Sequence, residues 1–291
     1  MSQMVRLPSR AVRRRRSLTK VRLLRTLTQV SFAGLVLVAA VRHQTEKGSA
    51  PSVDALCPFG GIETLWTFVT TGTLVEKTQI SSLILGAAVL VSVLVASNAF
   101  CGWICPFGAL QDGLSWVRRR LHVPTLHVPP RADRVMRWGR FVALAVILVA
   151  TARSASLVFF DWDPYVTLFS LHWYFEWSDG LWLGLTVAAV VLAASVAVER
   201  FWCRYLCPAG AVFSILGRLS FFKIRRRADA CTGCNLCSAP CPVGIDVAHV
   251  ADDVGPDCIG CLDCVASCAF GGALDVSGPT WVGSIGRGQP S

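Results

Sequence analysis

The chain has 291 residues, of which 53% are hydrophobic and 16% charged, with a formal net charge of +10. A mean hydropathy of +0.53 and several long apolar runs exclude an ordinary soluble domain and point to an integral membrane protein. The charge does not indicate a nucleic-acid binder: residues 1–25 hold nine Lys/Arg and no acid, residues 228–276 seven Asp and no Lys/Arg. That distribution is the one expected of topogenic charge beside membrane spans, with some contact to anionic lipid.

Residues 1–22, with Arg13 to Arg16 in a row, read as a disordered basic segment leading into a cytoplasmic anchor. Arg15-Arg16-Ser17-Leu18-Thr19-Lys20 loosely resembles a twin-arginine export signal. No A-x-A site follows the apolar run, so a retained signal anchor is expected. Four spans are predicted, at about 23–41, 80–100, 138–157 and 181–198, each close to the ~20 residues that cross a hydrocarbon core. Lys/Arg number three in 42–79, seven in 101–140, none in 158–180 and seven in 199–227. The alternation predicts four transmembrane helices in two hairpins with both termini cytoplasmic, in the bacterial cytoplasmic (inner) membrane. Thirteen cysteines with thiolate-cluster spacing imply a reducing compartment for most of them, which agrees.

The membrane part, 23–227, contains an internal repeat. Span two ends in Cys101-Gly-Trp-Ile-Cys105-Pro106-Phe-Gly-Ala and span four in Cys203-Arg-Tyr-Leu-Cys207-Pro208-Ala-Gly-Ala. The outer loops match more weakly, Cys57-Pro58-Phe59 against Asp163-Pro164-Tyr165. Cysteines at i and i+4 share one helix face, and the following proline breaks the helix. A pseudo-two-fold axis between the hairpins would bring Cys101, Cys105, Cys203 and Cys207 together. Three readings stay open: a further metal centre, most plausibly iron–sulfur; two redox or metal-handling thiol pairs; and plain packing. Cys57 is expected on the outer side, as a buried structural thiol or a ligand.

Residues 228–276 are organised by eight cysteines. Cys231, Cys234, Cys237 and Cys241 have the spacing C-x2-C-x2-C-x3-C-P; Cys258, Cys261, Cys264 and Cys268 repeat it, with Ala269 in place of the proline. This is the bacterial two-cluster pattern, in which each run lends its fourth cysteine to the other cluster. Cluster I is assigned to Cys231, Cys234, Cys237 and Cys268, and cluster II to Cys241, Cys258, Cys261 and Cys264, each a [4Fe-4S] centre. Two zinc sites are the competing reading, but a third cysteine at the same short spacing would then be superfluous. The predicted unit is a small α+β bacterial-ferredoxin-like domain, followed by a flexible tail, 277–291. Its acidic residues Asp246, Asp252, Asp253, Asp257 and Asp263 suit either a basic docking partner or plain solvation. No G-x-G-x-x-G or G-x4-G-K-[ST] motif is present, so a nucleotide site is not expected.

The order of spans, CGWICPFGALQD, FWCRYLCPAGA and a two-cluster segment resembles the NapH-, NosR- and MauN-type membrane-bound ferredoxins over about residues 23–276, with NapH-type proteins nearest in architecture. That resemblance implies electron transfer between the membrane quinone/quinol pool and a protein redox partner such as a reductase or dehydrogenase system. A quinol would need a proton acceptor; His43, His172 and Glu176 are weak candidates, and ordinary interfacial residues by the other reading. The aromatic run Phe159, Phe160, Trp162, Tyr165, Trp173, Tyr174, Phe175, Trp177 and Trp182 is an interfacial belt or a quinone-binding wall. A biogenesis factor that reduces or delivers a metal through the C-x3-C-P thiols is the alternative function.

Overall fold

A computed structural model of the chain describes residues 9–46, 57–72, 80–126, 128–154, 159, 162–175, 181–268, 270 and 272–278. Helix α1 runs unbroken from Ser9 to Thr45, with no proline and a single glycine, Gly34. Residues 9–22, expected to be disordered, therefore continue the first span as helix. Helices α2 (Pro58–Thr71), α3 (Ile80–Ala96), α4 (Ala99–Trp103), α5 (Pro106–Arg120), α6 (Pro130–Met136) and α7 (Gly139–Ser154) follow. The second half adds α8 (Pro164–Phe169), α9 (His172–Phe175), α10 (Leu181–Ala197), α11 (Pro208–Leu216) and α12 (Asp263–Ser267).

Each predicted span falls on a helix: α1, α3, α7 and α10. Thr19–Thr45 and Pro130–Ser154 are long and apolar enough to cross a membrane; Ile84–Ala96, Leu181–Ala197 and Pro208–Leu219 are shorter apolar helices. At ~1.5 Å per residue, the 27 residues from Thr19 to Thr45 reach about 40 Å. The outward faces are apolar as well as the inward ones. Val30, Leu35 and Val38 on α1, Val142, Val146 and Val149 on α7, and Trp182 and Val190 on α10 are exposed. Val36, Ala40, Val89, Val93, Leu144, Ile147, Val191 and Phe213 form the interior. Helices apolar all round belong in a large core or in lipid. The bundle holds more than the four predicted spans: α2 packs on α3 and α7, and α8 packs on α10.

Residues 223–277 fold around a two-stranded antiparallel sheet of β1 (Lys223–Arg226) and β2 (Leu274–Ser277), with Ile224 opposite Val276. Ile224, Val247, Ala248, Val254 and Leu274 form a small core together with Cys237 and Cys264. The sheet opens at Lys223, ahead of the boundary at 228 expected from composition.

Candidate metal centres

In the cluster domain the fourth cysteines cross over. Cys231, Cys234, Cys237 and Cys268 line one cavity of about 340 Å³. Cys264 lies within electrostatic reach of Cys258, Cys261 and Cys241. Cys268 thus lies beside the first run, and Cys241 beside the second. Burial, before any other cause, pushes the Cys258 thiol up to about 12 and Cys261 to about 11, and also raises Cys264. Cys231 is lowered instead, by a hydrogen bond from Arg226. Binding a metal at the buried ring must therefore release protons. Among the described residues no three His, Cys, Asp or Glu side chains stand close enough to hold a single ion.

A third ring forms in the helical part. Cys101, Cys105, Cys203 and Cys207 line one cavity of about 550 Å³, as a two-fold repeat would require. The local reason differs from the shared helix face expected. Cys101 sits in α4, but Cys105 is the residue ahead of α5, with φ −61° and ψ 118° and Pro106 at the first helical position. Cys207 precedes Pro208 with φ −62° and ψ 115°, and Cys203 lies in a π-helical turn, Trp202–Leu206. Proline forces the preceding residue into extended conformation and starts the next helix. Each thiol pair is thus set across a helix break. The buried Gln111 amide donates to Cys203 Sγ over 3.1 Å.

Cys57, expected on the outer side, shares this cavity, where its Sγ donates to Asp163 Oδ2 at 3.3 Å. Residues read as outer loops therefore fold back to the cysteine level. The aromatic run divides accordingly. Phe159 and Tyr165 line the cavity, with Phe159 stacked on Trp202 and edge-on to Phe59. Trp162, Trp173, Tyr174, Phe175 and Trp182 are exposed. Phe160 and Trp177 lie outside the described residues. His43 and His172 are absent from the cavity wall. Gln44 Nε2 donates to Ser170 O at 3.0 Å and ties the end of α1 to the turn before His172. Glu176 lies outside the described residues.

The cluster domain is docked against this ring. Val243, Ile259 and Cys261 form a buried group on which Cys101 and Cys241 pack. A Cβ at Gly102 would lie 2.3 Å from Ile259 O, so only glycine permits the approach. Trp103 Nε1 donates to Gly260 O at 2.9 Å, and Asn98 Nδ2 to Pro256 O at 2.8 Å.

The acidic residues of the domain, read from the sequence as a docking surface or as plain solvated carboxylates, have partners within the chain. Asp257 takes Arg137 at 3.0 Å and Arg140 at 2.5 Å; Asp263 takes Arg22 at 2.7 Å and Arg25 at 2.8 Å. Asp253 pairs with Lys223, Asp252 with Arg225 and Asp246 with His249. Behind Asp263, Asp112 binds Arg25, Gln29 and a fully buried Arg200, whose Nη1 donates to Cys101 O at 2.9 Å. Sequence reasoning missed Asp112 and Arg200. The available signal was ionisable side chains immediately beside apolar spans.

Two family models match the chain: a 4Fe-4S binding domain at residues 78–124 and 181–227, and a 4Fe-4S dicluster domain at 223–269. YccM of Escherichia coli (strain K12) is 30% identical over 231 residues, covering 77% of this chain and 63% of YccM. Protein NirI of Paracoccus denitrificans is 34% identical over 172 residues, 57% of this chain and 24% of NirI. Ferredoxin-type protein NapH of Escherichia coli is 29% identical over 199 residues, 64% of this chain and 65% of NapH. The chain thus spans less than two thirds of the length of each of these relatives. No solved structure matches it. The duplicated first model, the dicluster model and these relatives together support a NapH/NosR-like family of ferredoxin-type iron–sulfur proteins for this chain.

Proposed function

We propose that the protein is a membrane-anchored iron–sulfur relay that passes single electrons between the quinone/quinol pool and a protein redox partner. Clusters I and II are held by Cys231, Cys234, Cys237 and Cys268, and by Cys241, Cys258, Cys261 and Cys264. Cys101, Cys105, Cys203 and Cys207 hold a third centre, closer to the membrane interior. Each centre supplies one-electron chemistry when bound; the chain's contribution is to fix the order of the rings and to keep water away from the inner one. The observation that carries this reading is the packing of Cys101 on the group containing Cys261 and Cys241. It leaves the second ring and the third as packed neighbours. The apolar outer faces of α1, α7 and α10 support membrane spans, and the alternating Lys/Arg count of the connecting segments supports both termini in the cytoplasm. The relatives YccM, printed as a putative electron transport protein, and NapH, printed as a ferredoxin-type protein, support an electron-transfer role.

Iron and acid-labile sulfide content, with EPR on anaerobically purified protein, tests the relay. About twelve irons per chain are expected, against about eight for two cubanes alone. A quinol analogue should reduce the clusters; its failure to do so would sink the quinol assignment. A second reading, metal handling during assembly of a respiratory enzyme, is favoured by the number of thiols in the inner cavity, five instead of four. It predicts stoichiometric copper binding that Cys101→Ser abolishes.

A further inference from the structure

Residues 116–138 run from the last turn of α5 through α6 to the start of α7, and their outer surface is at once apolar and basic. Trp116, Leu121, Val123, Leu126, Val135 and Trp138 are exposed, from 45% at Val123 to 71% at Val135. Arg119, Arg120, Arg131 and Arg134 are exposed among them. The one acid between Gly113 and Trp138 is Asp133, and it is taken up by Arg137, Arg204 and Tyr205. Glu199 approaches from the end of α10, but Arg118 and Arg119 share it, so one positive charge is left over. Among the described residues Arg120, Arg131 and Arg134 enter no ion pair; the Arg120 guanidinium lies over the Trp116 ring at 5.5 Å. The strap is pinned where two spans end. Leu126 N donates to Ala197 O, the last residue of α10, at 3.0 Å. At its other end the strap runs directly into α7, whose outer face is apolar at Val142, Val146 and Val149.

We propose that residues 116–138 form a binding surface for anionic phospholipid at the membrane boundary. The apolar side chains enter the acyl-chain margin, where Trp116 and Trp138 have the amphipathic rings that favour that depth. Arg119, Arg120, Arg131 and Arg134 lay their stems along the same margin and carry their guanidiniums to the phosphates. The inference rests on the reading of α7 and α10 as membrane spans, because their ends set the level of the strap. Charge complementarity selects the occupant. An exposed surface with four arginines and no exposed acid repels a second copy of itself and attracts a negatively charged layer. A zwitterionic headgroup would satisfy the apolar side chains but leave the arginines without a net counter-charge.

The test uses the full chain reconstituted into phosphatidylcholine bilayers that contain a trace of spin-labelled phosphatidylglycerol or spin-labelled phosphatidylcholine. EPR measures the fraction of each lipid immobilised by the protein. Wild type is expected to prefer phosphatidylglycerol at least about threefold and to lose most of that preference at roughly 1 M salt, where charges are screened within about 3 Å. Arg119→Gln with Arg120→Gln, and Arg131→Gln with Arg134→Gln, should each lower the preference by at least half, with thermal unfolding by circular dichroism reporting the fold. The two pairs are separate variants, so one is read where the other does not fold. Arg225→Gln with Arg227→Gln, exposed in the cluster domain and outside the strap, should leave the preference unchanged. Equal immobilisation of the two lipids by wild type, or a preference that survives in both strap variants, overturns the inference while leaving the spans in place. A chain that incorporates into bilayers and immobilises neither lipid overturns the reading of the spans as well. A photoreactive p-benzoylphenylalanine in place of Leu121 or Leu126 should crosslink to lipid; crosslinking to a second copy or to another polypeptide in native membranes overturns lipid as the occupant.

Discussion

Two single residues decide how the rings communicate. Gly102 is the point of closest approach, since any side chain would enter Ile259 O. Gly102→Ala should push the 258–261 turn outwards and cost about 1–3 kcal/mol of docking, read as earlier thermal loss of cluster absorbance. Its counterpart in the second repeat is Arg204, which pairs with Asp133 and lies against Gly244 of the cluster domain, so the two repeats meet that domain differently. Arg200 is the other. Its guanidinium is fixed by two bonds to Asp112, at 2.8 and 2.7 Å, and its charge acts on both Cys203 and Cys261. A cation between two rings favours the more negative, reduced state of each. Arg200→Gln should lower the midpoint potentials of cluster II and the inner centre and leave cluster I unchanged, by EPR-monitored redox titration. Burial works to raise the Asp112 carboxyl, but the guanidiniums of Arg200 and Arg25 outweigh it and hold it well below the ordinary range. A depressed carboxyl contributes stability that is present above its unfolded value, ~3.9, and is lost as pH falls through the folded one. Stability should therefore not change with Asp112 ionisation near neutral pH. Asp112→Asn should remove part of the acid sensitivity and cost about 3–5 kcal/mol by stranding two buried cations, measurable by denaturation at pH 7 and pH 3.

At the scale of elements, the cluster domain is held by two ion-paired seams. One joins α1 to α12 through Arg22, Arg25 and Asp263; the other joins α7 and the turn before it to Asp257 through Arg137 and Arg140. Asp257→Asn with Asp263→Asn should loosen the domain without unfolding it. Faster proteolysis between 217 and 230 with unchanged iron content would bear this out; unchanged proteolysis would show that Gly102 packing alone holds the interface. The domain's own apolar core is small, built from Ile224, Val247, Val254 and Leu274 around cysteines, so the clusters must supply much of its folding energy. Chelation of iron should melt residues 223–277 and leave the helices, seen as hydrogen exchange confined to that segment.

For the whole molecule, the arrangement is a duplicated helical part capped by a ferredoxin-like unit, with the cavity of Cys101, Cys105, Cys203 and Cys207 next to that unit. Much of this was legible in the chain. The eight cysteines of the cap carry their spacing with them, because each thiol triplet wraps one corner of a cluster within a few residues. The spans declare themselves by apolar length, and the repeat by Cys101 to Pro106 against Cys203 to Pro208. Cys57 was misplaced because charge counting assigns a loop to one side of the bilayer and cannot show that the loop turns back into the bundle. The aspartates of the cap gave no sign of pairing in the sequence because their arginine partners lie up to 241 residues away in the chain.

The sequence by itself determined what each segment is made for: apolar runs that need lipid, prolines that start helices, thiols at cluster spacing. These are local facts, set by a few bonds of backbone geometry and by side-chain chemistry. Only the tertiary structure decided which thiols share a cavity, that Cys57 and Asp163 join them, and that Arg200 lies against Cys101 and within reach of Cys203 and Cys261. Those are matters of long-range packing, where shape and the cost of burying charge select one arrangement among the many that the same local pattern allows.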